Sequence, residues 1–382
     1  MRGAVRGIGG GVLTVALTIG SVGLLVLGLQ PLLLGGLVLE RRISEAEIGN
    51  LVTVEMLAIA LGSLAGVWLF RRANPRAVAI LAAIGLAAVD LLCIGGGHDA
   101  WLLLLRGAAG LCEGVLVAAA LVAIALSAHV ERASALFLAG QTLLQAIVAF
   151  TLPYVEGAGS AADHVFAALA GAAVLAALLA LAVPSTMRPV ASDESGGALS
   201  PASLVALCCS GLFLGAIVTT WSYLGIWLAK YGHSAKFEGL IVASSLVAQI
   251  AGASIAARWG ERVHYRTAIA GGALVAGLLI AGFFLARESS AGLVLVGVCF
   301  GFVWLFVPPF FAGWLIEIDP ARRAVLYLTA FQLGGAAFLP SAAALLVDRW
   351  SVDAALCSSG GIFILLSLIV YAATAGNRRA AA

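Results

Sequence analysis

The stretch RGAAGLCEGVL, residues 106–116, sets an arginine and a glutamate inside an apolar run that extends from Trp101 to about Ser127. Arg106 and Glu113 are seven residues apart, nearly two helical turns, so a helix carries both on one face about 10 Å apart along its axis. Two more acids, Glu55 in the run 47–70 and Asp90 in the run 77–96, fall at similar depth when each run is bisected. Three carboxylates then share a layer with one guanidinium. A carboxylate left without a partner in a low-dielectric medium favours its protonated form, and one that gains and loses a proton as its surroundings change can couple proton movement to another event. Glu113 is therefore the candidate proton-titrating or substrate-contacting group, and Arg106 the fixed counter-charge or anion anchor. The competing reading is a structural pair, such as Arg106 with Asp90, that holds two helices together.

These residues matter because of what surrounds them. The chain has 382 residues, of which 62% are hydrophobic and only 10% charged. Its mean hydropathy of +1.10 excludes a soluble domain of that length. Apolar stretches of helix length recur throughout, at 11–39, 47–70, 77–96, 101–127, 132–155, 162–184, 201–229, 237–257, 266–286, 291–316, 323–346 and 353–375. They predict an all-α integral membrane protein with twelve transmembrane helices, since a barrel would show short alternating strands. The basic start, MRGAVRGIGGGVLTVALTIG, lacks a clear cleavage site and reads as an uncleaved first span. With the N-terminus inside, Arg2, Arg6, Arg71, Arg72, Arg76, Arg132, Arg188, Arg258, Arg262, Arg266, Arg322, Arg323, Arg378 and Arg379 all fall on the inner side. The outer side keeps only Arg41, Arg42, Lys230, Lys236, Arg287 and Arg349, which predicts cytoplasmic termini in a cell (inner) membrane.

The sequence also repeats. An offset of 190 lays IGNLVTVEMLAIALGSLAGVWLFRRANPR over EGLIVASSLVAQIAGASIAARWGERVHYR, matching Gly49 with Gly239, Gly62 with Gly252, Arg72 with Arg262 and Arg76 with Arg266. An offset of 191 then lays RASALFLAGQ over RAVLYLTAFQ, matching Gln141 with Gln332. The polar stretch between Pro184 and Pro201 separates the copies. The expected organisation is an N-terminal six-helix bundle, 1–184, a cytoplasmic linker, 185–200, and a C-terminal six-helix bundle, 201–382. Parallel repeats of this kind describe a transporter architecture with its substrate near the membrane midplane.

Three stretches resemble the major facilitator superfamily. GASIAARWGER is similar to that family's G-x-x-x-D-R-x-G-R/K loop signature in Gly252, Arg258, Gly260 and Arg262, with Ala257 in place of the aspartate. GVWLFRRANPR is a worn copy that keeps Gly66, Arg71, Arg72 and Arg76 and has Phe70 at the acidic position. Arg106-x-x-x-Gly110-x-x-x-Gly114 resembles the fourth-helix motif, whose arginine is implicated in proton coupling or substrate binding. The resemblance covers essentially the whole chain and implies two pseudo-symmetric bundles and alternating access. The fifth span lacks the G-x-x-x-G-P-x-x-G-G element of drug antiporters, and the first span lacks the acid of aromatic-acid symporters, so the subfamily stays open.

Repeat positions matching Arg106 and Glu113 fall around Val296 and Val303, which predicts titratable chemistry in the first half and an apolar, aromatic surface in the second. Trp221, Tyr223, Trp304 and Phe311 are candidate cavity residues, with helix packing as the alternative for each. Gln30, Gln141, Gln145 and Gln332 are polar candidates, and Thr14, Thr18 and Ser21 share a face of the first span. Gln30-Pro31 and Pro308-Pro309 are expected to interrupt their helices. The six cysteines have no C-x-x-C spacing and the five histidines no ligand-pair spacing, so neither a metal nor a cofactor is implied. The sequence has no phosphate-binding loop, no nucleophile–base constellation and no basic stripe for nucleic acid. The expectation is a monomeric, non-enzymatic secondary transporter in a lipid bilayer, moving a small organic solute and coupled to protons. An exporter or uniporter without coupling, and a transporter-like sensor, are the alternatives.

Overall fold

A computed structural model describes residues 9–96, 100–127, 129–155, 159–185, 199–259, 262–320 and 323–380. The described residues form helices and turns and contain no strand. In hydrocarbon every backbone N–H and C=O must be paired within its own segment, and helices do that. The helices are α1 Gly10–Gly23, α2 Leu25–Leu39, α3 Glu47–Arg72, α4 Pro75–Cys93, α5 Ala100–Ala125, α6 Val130–Thr151 and α7 Ala161–Ala180. They continue as α8 Pro201–Lys230, α9 Ala235–Trp259, α10 Tyr265–Ala286, α11 Ser290–Phe306, α12 Pro308–Ile318, α13 Leu328–Arg349 and α14 Asp353–Ala380. Joined end to end, α1 with α2 and α11 with α12 each make one span, giving twelve helices long and apolar enough to cross a membrane.

Polar residues at the boundaries set where helices begin. Asn74 accepts the N–H of Arg76 at 3.0 Å with Pro75 at the first helical position, and Ser200 accepts that of Ser203 at 3.1 Å ahead of α8. Ser160 and Asp163 form a reciprocal capping box that starts α7. Between α8 and α9 the chain turns through Gly232 at φ 81°, which a side chain would strain.

Span 10 breaks at Val307, directly before Pro308. Span 1 breaks at Leu24, seven residues ahead of Pro31, which sits inside α2. The expected interruption at Gln30-Pro31 is thus displaced upstream. Gly23 and Leu24 are where the chain yields, and the exposed polar group there has a partner: Gln145 Nε2 donates to the Leu24 carbonyl at 2.6 Å.

By packing, the residues divide into two units, Met1–Leu29 with Val54–Asp193, and Gln30–Thr53 with Glu194–Ala382. In the first unit α4 packs on α7, and α1 and α4 on α5. Its core is built largely from alanine, with Ala79, Ala83, Ala109, Ala118, Ala173 and Ala176 all buried. Small residues let backbones approach closely, which is how helices gain contact where solvent offers no hydrophobic drive. In the second unit α9 packs on α11, α8 on α13 and α10 on α14. A chain of rings runs through it, from Trp227 to Phe283, Phe300, Phe363, Phe213, Phe311 and Trp314, with successive centroids 5.6–6.5 Å apart.

The repeat is visible in the packing inside each unit. A Cβ at Gly62 would collide with the Leu111 carbonyl, and one at Gly252 with that of Phe302. Arg76 Nε donates to the Val183 carbonyl at 2.8 Å, and Arg266 Nη1 lies 3.5 Å from that of Ala373. Both acceptors and both donors are 190 residues apart.

Candidate functional site

Arg106 on α5 is the centre of the first unit's buried charge. Its Nε donates to Glu55 Oε1 at 2.8 Å, and Nη2 bonds the same oxygen. Nη1 donates to Asp90 Oδ1 at 2.7 Å, and Nη2 also reaches Glu113 Oε1 at 3.0 Å. The guanidinium carbon lies 5.9 Å from the centre of the Phe166 ring on α7. Arg106 and Asp90 are fully buried, and Glu55 and Glu113 nearly so. Four helices, α3, α4, α5 and α7, therefore contribute to one cluster.

The sequence of α5 explains how α3 reaches it. Gly110 and Gly114 follow Arg106 by one and two turns on the same face. A Cβ at Gly110 would sit 2.7 Å from the Glu55 carbonyl oxygen, and one at Gly114 would collide with the Ile59 carbonyl. The glycines form a groove that seats α3, and the arginine stands one turn beyond it, within reach of Glu55. On the other flank a Cβ at Gly23 would come 2.5 Å from the carbonyl oxygen of Glu113, so α1 crosses α5 at that residue.

The charges do not balance. Three carboxylates surround one guanidinium, and Asp90 Oδ2 and Glu113 Oε2 are buried without a hydrogen-bond partner. Ionised together, the four groups carry a formal charge of −2 in a medium where each uncompensated charge costs several kcal/mol. Two protons would neutralise them.

Gly66, Gly62 and Gly252 are packing residues: a Cβ at Gly66 would lie 2.7 Å from that of Ala118. Arg71, Arg258 and Arg262 are exposed, and Arg72 stacks on Trp68 at 4.8 Å. Gly260 lies outside the described residues, as does most of the linker 185–200. Trp221 and Trp304 meet edge to face at 5.2 Å, Tyr223 is fully buried, and Phe311 belongs to the ring chain of the second unit. Gln30 Oε1 accepts from Ser222 Oγ at 3.0 Å while its Nε2 has no partner, and Gln141 Oε1 has none either. Gln332 is half-buried. Thr14, Thr18 and Ser21 bond back to carbonyls one turn earlier, at 2.9–3.1 Å.

Among the described residues the second unit has no equivalent of the cluster, and the packing shows why. A Cβ at Gly301 would collide with the Ser245 carbonyl as one at Gly110 approaches that of Glu55. The offset is thus already 191 in the fourth span, and the positions matching Arg106 and Glu113 are Gly297 and Trp304, one residue on from Val296 and Val303. A Cβ at Gly297 would lie 3.0 Å from Ser245 Oγ. Where the first unit holds an ion pair, the second closes the space with a glycine against a serine. Two residues escaped the sequence reading. Phe166 has no signal in one sequence, and Glu238 looks like a helix-start acid but is buried in the second unit.

The chain belongs to the Major Facilitator Superfamily, whose model matches residues 12–337. The crystal structure of the nucleoside transporter NupG superposes with a TM-score of 0.75 at 12% identity, covering 95% of this chain and 99% of that one. A structure from work on substrate recognition in proton dependent oligopeptide transporters gives 0.73 at 13% identity, covering 97% and 99%. No curated protein matches the sequence. Family and fold support a secondary transporter of small solutes in a multi-pass integral membrane protein.

Proposed function

We propose that this protein moves a small organic solute by alternating access and couples that movement to protons taken up and released by the Arg106 cluster. The observation that carries the reading is the charge imbalance: one guanidinium against three buried carboxylates, two of which have an unpartnered oxygen. Arg106 acts as the fixed counter-charge. Its donors are already directed at carboxylates of its own unit, which disfavours the role of anion anchor. Glu113 is the titrating group, because its single contact with Arg106 is the longest of those made by the three acids and α1 crosses it beside the break at Leu24. Asp90 and Glu55 hold the arginine in place.

The internal equivalences, Gly62 with Gly252 and Arg76 with Arg266, support two six-helix bundles, 1–184 and 201–382, joined by the linker 185–200. The arginine bias supports cytoplasmic termini in the inner membrane. The chain functions as a monomer in this reading. The test is proton release from purified protein in detergent on adding aromatic acids, sugars and lipophilic cations, for wild type and Glu113→Gln. Solute-triggered release that vanishes in the variant is the expected result. Release unchanged in Glu113→Gln refutes the assignment of Glu113, and flux into liposomes without any proton movement refutes coupling and leaves a uniporter or facilitated exporter.

A further inference from the structure

Residues Gln30–Thr53 belong to the first copy of the repeat by sequence and to the second unit by packing. Two sets of contacts hold them there. On α8, a Cβ at Gly35 would lie 3.2 Å from the backbone of Gly225, and Ser222 Oγ donates to Gln30 Oε1 at 3.0 Å. On α13, a Cβ at Gly49 would collide with the Pro340 carbonyl and lie 2.9 Å from the Ala344 Cβ. The backbones of α3 and α13 touch at that glycine, and the side chains beside it are polar.

Three of those side chains form one cluster. Thr53 Oγ1 donates to the Ala337 carbonyl and lies 2.6 Å from Ser341 Oγ, which in turn lies 3.1 Å from the Gly49 carbonyl and 3.2 Å from Asn50 Oδ1. Pro340 stands inside α13 and has no N–H to give to the carbonyl a turn earlier, so this helix is one internal bond short where Thr53 enters it. Each hydroxyl has one proton and rotates, so the cluster can exchange partners among its oxygens. Every member is neutral. Parting it costs the few bonds it makes and strands no ion, unlike the parting of Arg106 from its carboxylates.

The same helix supplies an acid to the Arg106 cluster. Glu55 follows Thr53 by two residues, about 200° around α3, and accepts from Arg106 Nε at 2.8 Å. Thus α3 is held on one side by neutral hydroxyls and on the other by charge. We infer that Asn50, Thr53 and Ser341 are a releasable latch that fastens residues 30–53 to α13, and that residues 30–53 leave α13 when its hydrogen bonds part. The inference rests on the reading of the chain as an alternating-access transporter and adds the residues that fasten one of its states. It does not depend on which acid of the Arg106 cluster titrates.

The test is hydrogen exchange followed by mass spectrometry on the full chain purified in detergent, read at residues 30–53 with no solute added. Thr53→Val and Ser341→Ala are each expected to raise exchange there about tenfold, as the loss of hydroxyl bonds from a local opening allows, and to leave α10 and α14 unchanged. Thr53→Cys with Ser341→Cys sets two sulfurs where the hydroxyls lie 2.6 Å apart, in reach of a disulfide. Oxidised, this pair is expected to bring exchange at residues 30–53 about tenfold or more below wild type, and dithiothreitol to restore it, with each single cysteine variant as the control for the natural thiols. Suppression separates a latch from permanent packing, because residues that never leave α13 gain nothing from a cross-link. Exchange unchanged in both hydroxyl variants, a rise spread equally over α10 and α14, or a cross-link without effect overturns the inference. If the cysteine pair fails to fold, Thr53→Val and Ser341→Ala still decide it. Absence of proton release with every compound refutes coupling and leaves the exchange result standing, whereas unchanged exchange overturns the latch and leaves the transport reading standing.

Discussion

Replacing Arg106 by methionine tests whether charge balance organises the first unit. Methionine keeps much of the side-chain volume, so the change is mainly electrostatic. With every carboxylate ionised the cluster would go from −2 to −3, and Glu55, Asp90 and Glu113 would each lose their donor. Removing one partner of a buried pair costs about 3–5 kcal/mol. At about 2–4 °C per kcal/mol for a domain of roughly this size, the melting temperature in detergent falls by about 10 °C at pH 8. The remaining carboxylates can be neutralised by protons, so the sign with pH is set: the deficit against wild type shrinks as the pH is lowered towards about 5. Adding Glu55→Gln and Asp90→Asn to Arg106→Met cuts the buried charge from −3 to −1 by substitution and recovers part of the loss at pH 8. The assay is a thermal-unfolding series on wild type, single and triple variants across that range. A deficit that stays constant with pH, together with a triple variant no better than the single, would refute the argument and make Arg106 a packing residue.

Other outcomes follow from the same geometry. Gly114→Val drives a side chain into the Ile59 carbonyl and the Ser63 N–H, and costs about 3 kcal/mol or more, read as a lower melting temperature. Gly171→Ala, where a Cβ meets nothing within 4 Å, is the control and stabilises by about 0.5–1 kcal/mol. Arg76→Ala and Arg266→Ala each remove a bond to a carbonyl near the end of the sixth span of their own half; each costs about 1–2 kcal/mol and leaves solute flux per folded molecule unchanged. Gln145→Leu removes one of the two hydrogen bonds to the Leu24 carbonyl at the break in span 1, leaving that from the Leu27 N–H, and costs about 0.5–1.5 kcal/mol, with hydrogen exchange rising first around residues 24–28.

The spans were legible because hydropathy at helix length is a strong signal. So was the meeting of Arg106, Glu113, Glu55 and Asp90, since bisecting apolar runs measures depth and charge at depth must find charge. Partner choice was not legible. That Glu55 makes two of the guanidinium contacts, and Phe166 lies against it, depends on how closely α3 and α7 approach. Pro31 gave the right span and the wrong residue for the break, because a proline strains the turn before it and the chain yields where glycine allows. The hydroxyls of Thr14, Thr18 and Ser21 looked like a polar face, yet in hydrocarbon a hydroxyl readily satisfies itself on its own helix. Glu238 was overlooked because an acid in a first helical turn ordinarily faces polar surroundings, and only the glycine opposite lets this one turn inward.

The ring chain of the second unit also gives the molecule its own optical labels. Trp221, Trp227 and Trp314 are shielded almost completely there, at 1%, 0% and 3% exposure, whereas the first unit's Trp68 and Trp101 stand about half exposed on apolar helices. Brominated acyl chains would therefore quench the emission of Trp68, Trp101 and the second unit's Trp350, which is 72% exposed, and spare the blue-shifted emission of the three shielded indoles. A solute that disturbs the aromatic interior of the second unit would be seen as a change in the emission that survives the quencher, with no dye attached.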